Sequence, residues 1–223
     1  MASLVRILMI VLAAPLLVRA QATQSPSADP NVLAQRLQTR YQGVRDFSAD
    51  FSQTYRGGVF KTKTTDRGTV LVKKPGLMKW VYTTPERKEL VSDGKKIYWY
   101  VPEDKQVTVS DVPQGDQAST PLLFLSGRGD ITRDFTASSV NPGIPGTVGL
   151  KLVPRRPEPD YEFLVVALDP QSFQIRALST RDHQGGESTH TFTNMKENLG
   201  IPDKEFVFRT PRGVRVISDA SPN

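Results

Sequence analysis

The chain has 223 residues, a formal net charge of +6 and no cysteine. The missing thiols exclude a disulfide framework, a thiolate nucleophile or metal site, and a lipidated anchor cysteine. The mild basic surplus reads as a solvated surface with no RNA-binding or helix-turn-helix signature, so nucleic acid is not an expected partner.

Met1 to Ala22 carries Arg6, an apolar run from Ile7 to Val18 and the small-x-small sequence Ala20-Gln21-Ala22. This is the layout of a secretory signal peptide cut near Ala22. The run is shorter than the ~20 residues of a membrane span, and no later segment approaches that length. The mature protein is therefore expected to be exported, soluble and unanchored. Residues 1–22 form the signal, 23–29 a flexible leader, 30–218 one domain and 219–223 a tail.

Asp29 before Pro30 is a good cap, and Leu33, Leu37, Tyr41 and Val44 recur at helical spacing, which predicts an amphipathic helix ending near Gly43 to Asp46. Phe47, Ala49, Phe51, Gln53 and Tyr55 then alternate with polar residues as a half-buried strand, turned by Gly57-Gly58. Val59 to Thr65 and Arg67 to Lys74 read as two further runs, with Asp66 and Gly68 at a turn between them.

The densest stretch is Val72 to Val101. It holds a basic pair, Lys73-Lys74, a Pro75-Gly76 turn and both tryptophans. Met78, Trp80 and Tyr82 alternate with Leu77, Lys79 and Val81, which puts the largest side chains on one face of a strand. Asp93-Gly94 between two β-rich runs predicts a hairpin with a type I′ turn. From Val70 to Val72 and from Ile97 to Tyr100 both faces are apolar, so alternation alone does not choose a side.

After Val107 to Val109 and the break Pro113 to Asp116, Thr120-Pro121 opens a short helix whose apolar residues, Leu122 to Leu125, nearly encircle it. Short runs follow at Asp134 to Val140, Val148 to Val153, Tyr161 to Leu168, Phe173 to Thr180, Glu187 to Lys196 and Glu205 to Phe208. Their spacing predicts antiparallel strands, with Pro154 to Asp160 a hairpin insertion. The chain is mainly β, with about ten strands and a few helices.

Chemical motifs are weak. His183 and His190, seven apart, would face opposite sides of a strand, and neither a nucleophile elbow nor a second ligand motif accompanies them. Arg128-Gly129-Asp130 reads as a turn at a helix exit, and Asn198 to Pro202 lacks a phosphate-loop lysine. No catalytic residue, metal site or cofactor is expected.

Several blocks together carry a family resemblance: Phe47-Ser48-Ala49-Asp50-Phe51-Ser52-Gln53, Gly68 to Tyr82 with its basic-Pro turn, Leu90 to Lys95, the Thr120-Pro121 helix, and Phe206-Val207-Phe208 followed by Pro211 and Gly213-Val214. In these the chain resembles the LolA family of periplasmic lipoprotein carriers, over approximately Val32 to Val216. The resemblance implies a strongly curved antiparallel sheet, an unclosed barrel, lidded by helices around an apolar cavity. It implies a non-enzymatic, monomeric periplasmic carrier that takes acylated lipoproteins from an ABC-type inner-membrane exporter to an outer-membrane receptor. Lys74 stands where the family usually has an arginine that latches the lid helix through its backbone carbonyls.

Strand alternation assigns Phe47, Phe51, Met78, Trp80, Tyr82, Ile97 and Trp99 to the cavity wall, and helical spacing assigns Leu33, Leu37, Leu122 and Leu125 to its cover. Two alternatives are a lipid- or peptide-sensing regulatory half-barrel of the periplasm and a small exported hydrolase built on His183 or His190. The first usually carries a second domain, for which about 200 mature residues leave little room.

Overall fold

The computed structural model describes residues 29–57, 62–112, 125–127 and 129–218. The expected signal peptide, the leader before Asp29, the tail after Ser218 and all of the Thr120-to-Leu125 helix except Leu125 lie outside these residues.

Helix α1, Pro30–Gln42, forms where its cap predicts. The Asp29 carboxylate accepts the Asn31 N–H at 2.8 Å, Pro30 opens the first turn, and Gly43 ends the helix. Leu33, Ala34 and Leu37 are its buried face. Six strands follow: β1 (Asp46–Arg56), β2 (Lys63–Lys73), β3 (Leu77–Thr84), β4 (Lys88–Asp93), β5 (Lys96–Val101) and β6 (Gln106–Asp111). After a single turn of helix, α2 (Ile131–Asp134), come β7 (Phe135–Val140), β8 (Val148–Pro154), β9 (Phe163–Leu168), β10 (Ile175–Arg181), β11 (Glu187–Glu197) and β12 (Arg215–Ser218).

All twelve strands belong to one sheet of order β12-β6-β5-β4-β3-β2-β1-β11-β10-β9-β8-β7. Neighbours are antiparallel except for β12, which runs parallel to β6. Two pairings join strands distant in sequence, β12 with β6 and β1 with β11, and the second welds two meanders into one surface.

Three expectations are corrected. The turn at Asp66 to Gly68 does not exist, because β2 runs straight through it. Gly68 is there for close approach: a Cβ would lie 1.9 Å from the Val81 carbonyl oxygen and 2.9 Å from Cε1 of Phe51. The Asp93 hairpin forms, but its central pair is Gly94-Lys95, with positive φ at Gly94 alone and Asp93 Oδ1 accepting the Lys95 and Lys96 N–H groups. That matches a II′ rather than a I′ turn. Glu205 to Phe208 is no strand. The 3-10 turn Asp203–Phe206 lies against β3 and β4, buries Phe206, and leads to the unforeseen edge strand β12. This crossing is tied down by Asp46, whose carboxylate accepts the Leu199 and Gly200 N–H groups, and by Lys73, which donates to the Ile201 carbonyl at 2.8 Å.

The strands share one core. Met78 and Trp80 of β3 belong to the same apolar cluster as Leu150 and Leu152 of β8, six places away in the strand order. In a flat sheet that is roughly 29 Å, so the sheet must curl toward α1 to close the cluster. The two edges, β12 and β7, do not pair, and the barrel stays open.

His190 is part of this core at 7% exposure, with its ring 5.4 Å from that of Trp80 and 6.4 Å from that of Phe51. Burial pushes its pKa down to about 4.

Two outcomes follow from this packing. Gly68→Ala should lower stability by about 1–3 kcal/mol, since backbone or an aromatic ring must move, and a urea midpoint checks it. Because the unfolded chain holds the His190 proton up to its ordinary pKa near 6.5, stability should fall as pH drops from 6.5 toward 4. The total is on the order of 3 kcal/mol. His190→Leu should flatten that portion of the curve relative to wild type in melts at pH 7 and pH 4.5.

Candidate functional site

The concave face is an aromatic wall. Phe51 meets Trp80 and Tyr82 edge-on, at 4.9 and 5.0 Å between ring centroids, and Tyr82 meets Trp99 at 5.7 Å. Such T-shaped contacts stabilise beyond the area they bury. Leu33, Leu37, Phe47, Phe51, Met78, Trp80, Tyr82 and Leu125 all lie in the one buried cluster, and Ile97 and Trp99 are half-buried against it. Leu122 is outside the described residues.

The ambiguous parities are thereby decided. Val70 and Val72 point inward with Trp80 and Met78. Tyr98 and Tyr100 point the other way, where Phe208 stacks on Tyr98 at 5.2 Å and meets Tyr100 at a tilt, 5.7 Å between centroids. An apolar run on both faces is the sequence trace of a wall covered on both sides.

A group of polar contacts closes this face at the end nearest α1. The Tyr41 hydroxyl donates to the Leu125 carbonyl, and the Gly76 N–H donates to the Ser126 carbonyl at 3.0 Å. Both acceptors are backbone carbonyls of the segment that leads into Gly127. Burial holds the Tyr41 phenol well above its usual range, so it stays a donor. Arg40 anchors the same turn of α1 by pairing with Glu197 and donating to the Ser172 carbonyl at 3.0 Å. The gap left between Tyr41, Phe47, Leu125, Phe173, Ile175 and Met195 is about 10 Å³, room for about a single water.

Lys74 takes part differently from the expectation. Its ammonium donates to the Tyr41 carbonyl at the end of α1 and sits 3.3 Å above the Tyr41 ring, while its aliphatic stem abuts Gly127. The residue bonding the Leu125 carbonyl is Tyr41, with Lys74 behind it. Sequence reading counted Tyr41 only as a core position of α1. Its hydroxyl partner lies 84 residues away, and no local pattern announces such a bond. Burial pushes the Lys74 ammonium down to about 8, opposed by the Glu197 carboxylate and helped by Arg40. The charge is therefore held less comfortably here than in water.

His183 lies outside β11, in the turn after β10, with Nε2 against the Glu158 carbonyl at 2.8 Å, while His190 is sunk among rings. They do not meet in one site. Among the described residues no group of three or more His, Cys, Asp or Glu is placed to hold a metal ion. A larger cleft of about 470 Å³ is bordered by Thr54, Arg56, Lys63, Asn141 and Arg181, but none of the clustered apolar side chains faces it.

The sequence model of the family described as "Outer membrane lipoprotein carrier protein LolA" matches residues 42–209. The outer-membrane lipoprotein carrier protein of Hahella chejuensis is 30% identical over 180 residues, covering 80% of this chain and 85% of that protein. Its counterpart in Methylococcus capsulatus is 28% identical over 184 residues, covering 82% and 86%. A crystal structure of a LolA superfamily protein from Nitrosomonas europaea superposes with a TM-score of 0.44 at 14% identity, covering 78% of this chain and 97% of that one. With the family's sequence pattern spanning most of the domain and a twelve-stranded open barrel beneath it, this chain belongs to the LolA family of outer-membrane lipoprotein carriers.

Proposed function

We propose that this protein is a periplasmic carrier for acylated lipoproteins, receiving them from an ABC-type inner-membrane exporter and passing them to an outer-membrane receptor, as a monomer and without catalysis. The observation that carries the reading is the continuous apolar concave face closed at one end by a few polar bonds. Each methylene shielded from water is worth ~0.8 kcal/mol, so acyl chains do not cross an aqueous space without cover. Phe47, Phe51, Met78, Trp80, Tyr82, Ile97 and Trp99 form the wall that meets the chains, and Leu33, Leu37 and Leu125 form the cover.

Loading exchanges contacts between side chains for contacts between side chains and lipid. Apolar surface is traded for apolar surface, so the barrier lies in the polar bonds that hold the cover down. Tyr41 is the bolt and Lys74 its support. A bolt of this kind makes affinity depend on the fraction of open molecules.

Trp80 and Trp99 both line the wall, so their fluorescence reports loading. A synthetic triacylated lipopeptide should change that emission saturably, and complete absence of binding would sink the carrier reading. Met78→Glu should weaken this binding more than tenfold while the protein still melts cooperatively, because a carboxylate placed among apolar groups costs several kcal/mol unless it is protonated or wetted. Tyr41→Phe removes one hydrogen bond of about 1 kcal/mol from the closed form. It should hold lipopeptide severalfold more tightly and release it more slowly to acceptor vesicles. Lys74 sets a pH dependence. The open form, with its ammonium in water at the ordinary 10.5, binds more protons than the closed form with its value near 8, so raising pH within this window favours closure. Lipopeptide affinity should fall by up to about tenfold between pH 7.5 and 9.5 in the wild type and stay level in Lys74→Arg, whose guanidinium does not titrate there.

A further inference from the structure

Among the described residues, two polar atoms are buried in the concave wall with nothing to bond: Nε1 of Trp80 and Nδ1 of His190. Trp80 is wholly covered and His190 is 7% exposed, and their rings meet edge to face at 5.4 Å. Neither nitrogen is required by packing, since phenylalanine and leucine fill such space without an orphaned polar group. Orphaned groups of this kind are rare in folded proteins, and each calls for an explanation.

Their position along the wall indicates what that partner is. On β3 the inward row runs Met78, Trp80, Tyr82, and on β1 it runs Phe47, Ala49, Phe51, Gln53. On β11 the corresponding row runs Phe192, His190, Ser188, with Phe192 opposite Phe51 and His190 opposite Gln53. Each row changes from apolar to polar in the same direction along the wall, although not on one rung, since Tyr82 is level with Phe51 and Phe192. On one side lie Met78, Phe47 and Phe192. On the other the Tyr82 hydroxyl donates to Gln53 Oε1 at 3.2 Å, and Gln53 Nε2 donates to Ser188 Oγ at 3.1 Å. Trp80 starts level with Ala49 and His190 level with Gln53, and their rings meet between the two ends.

A lipid acyl chain has the same profile: a long apolar tail, one carbonyl, then a polar head. We propose that Trp80 and His190 form a polar subsite that receives the acyl carbonyl of a bound lipid. The tail runs toward Phe47 and Met78, and the head lies on the side of Gln53, Tyr82 and Ser188. The inference rests on the carrier reading above and adds to it a fixed depth and direction for the ligand. The indole N–H can only donate, and a carbonyl oxygen only accepts. His190, kept neutral by burial, donates a second hydrogen bond in the tautomer that carries its proton on Nδ1.

The test uses the full protein and three synthetic lipopeptides of equal chain length: one triacylated, one with its two glyceryl esters replaced by ethers, and one with its N-acyl amide replaced by N-alkyl. The triacylated compound should bind about threefold to tenfold more tightly than whichever analogue lacks the recognised carbonyl, the range expected of one buried hydrogen bond. The analogue that loses affinity identifies that carbonyl as ester or amide. Trp80→Phe and His190→Leu should erase or halve the preference. In a ¹H–¹⁵N spectrum the Trp80 indole signal should move downfield with the triacylated lipid and not with that analogue, with Trp99 as internal control. Should Trp80→Phe fail to fold, Trp99→Phe assigns the signal equally well. If all three lipids bind alike and the indole signal stays put, the subsite is wrong and the carrier reading stands. If none binds, the carrier reading itself has failed.

Discussion

The curl of the sheet is the constraint on which this molecule rests. Twelve strands laid flat would expose a broad apolar surface that one thirteen-residue helix could never cover. By bending until β3 and β8 contribute to a single cluster, the sheet covers most of itself and leaves α1 and Leu125 to finish the task. Curvature also explains why the edges stay apart. β7 has α1 beside it, and β12 is four residues long, so neither offers a long bare ladder to another chain.

Closure over such a face cannot rely on hydrophobic matching, because apolar groups accept a lipid as readily as one another. Direction and strength come from the few polar bonds at the rim. The Tyr41 hydroxyl and the Gly76 N–H take up the Leu125 and Ser126 carbonyls, and the Lys74 ammonium takes up one at the end of α1. Helix ends supply acceptors that lack partners within their own helix, and a half-buried ammonium with a lowered pKa makes a bond that is neither free nor irreversible.

The adjacent lysines divide the work between the faces. Lys73, the last residue of β2, reaches Ile201 and Asp203 of the C-terminal crossing, whereas Lys74, one step on, turns toward Tyr41 and Gly127. A one-residue step in a strand reverses the side chain, so the basic pair fastens the outer segment with one member and the inner cover with the other.

Much of this was legible in the chain itself. Asp29-Pro30 and the Leu33, Leu37 spacing determined α1, because caps and helical periodicity are local. The period-two alternation of Phe47 to Tyr55 and of Met78 to Tyr82 determined which side chains share a wall, because the pleat leaves no choice. What the sequence could not determine were contacts between distant segments. Gly68 read as a turn because a glycine needed for Val81's close approach looks the same as a glycine needed for φ. Tyr41 read as core because its hydroxyl's partner comes from another part of the fold. Glu205 to Phe208 alternates like a strand, yet no neighbour offers it a ladder, and the clamp from Lys73 and Asp46 folds that crossing into a turn instead. The pairing of Trp80 with His190 belongs to the same class, since β3 and β11 lie three places apart in the sheet and only its curl brings an indole and an imidazole together.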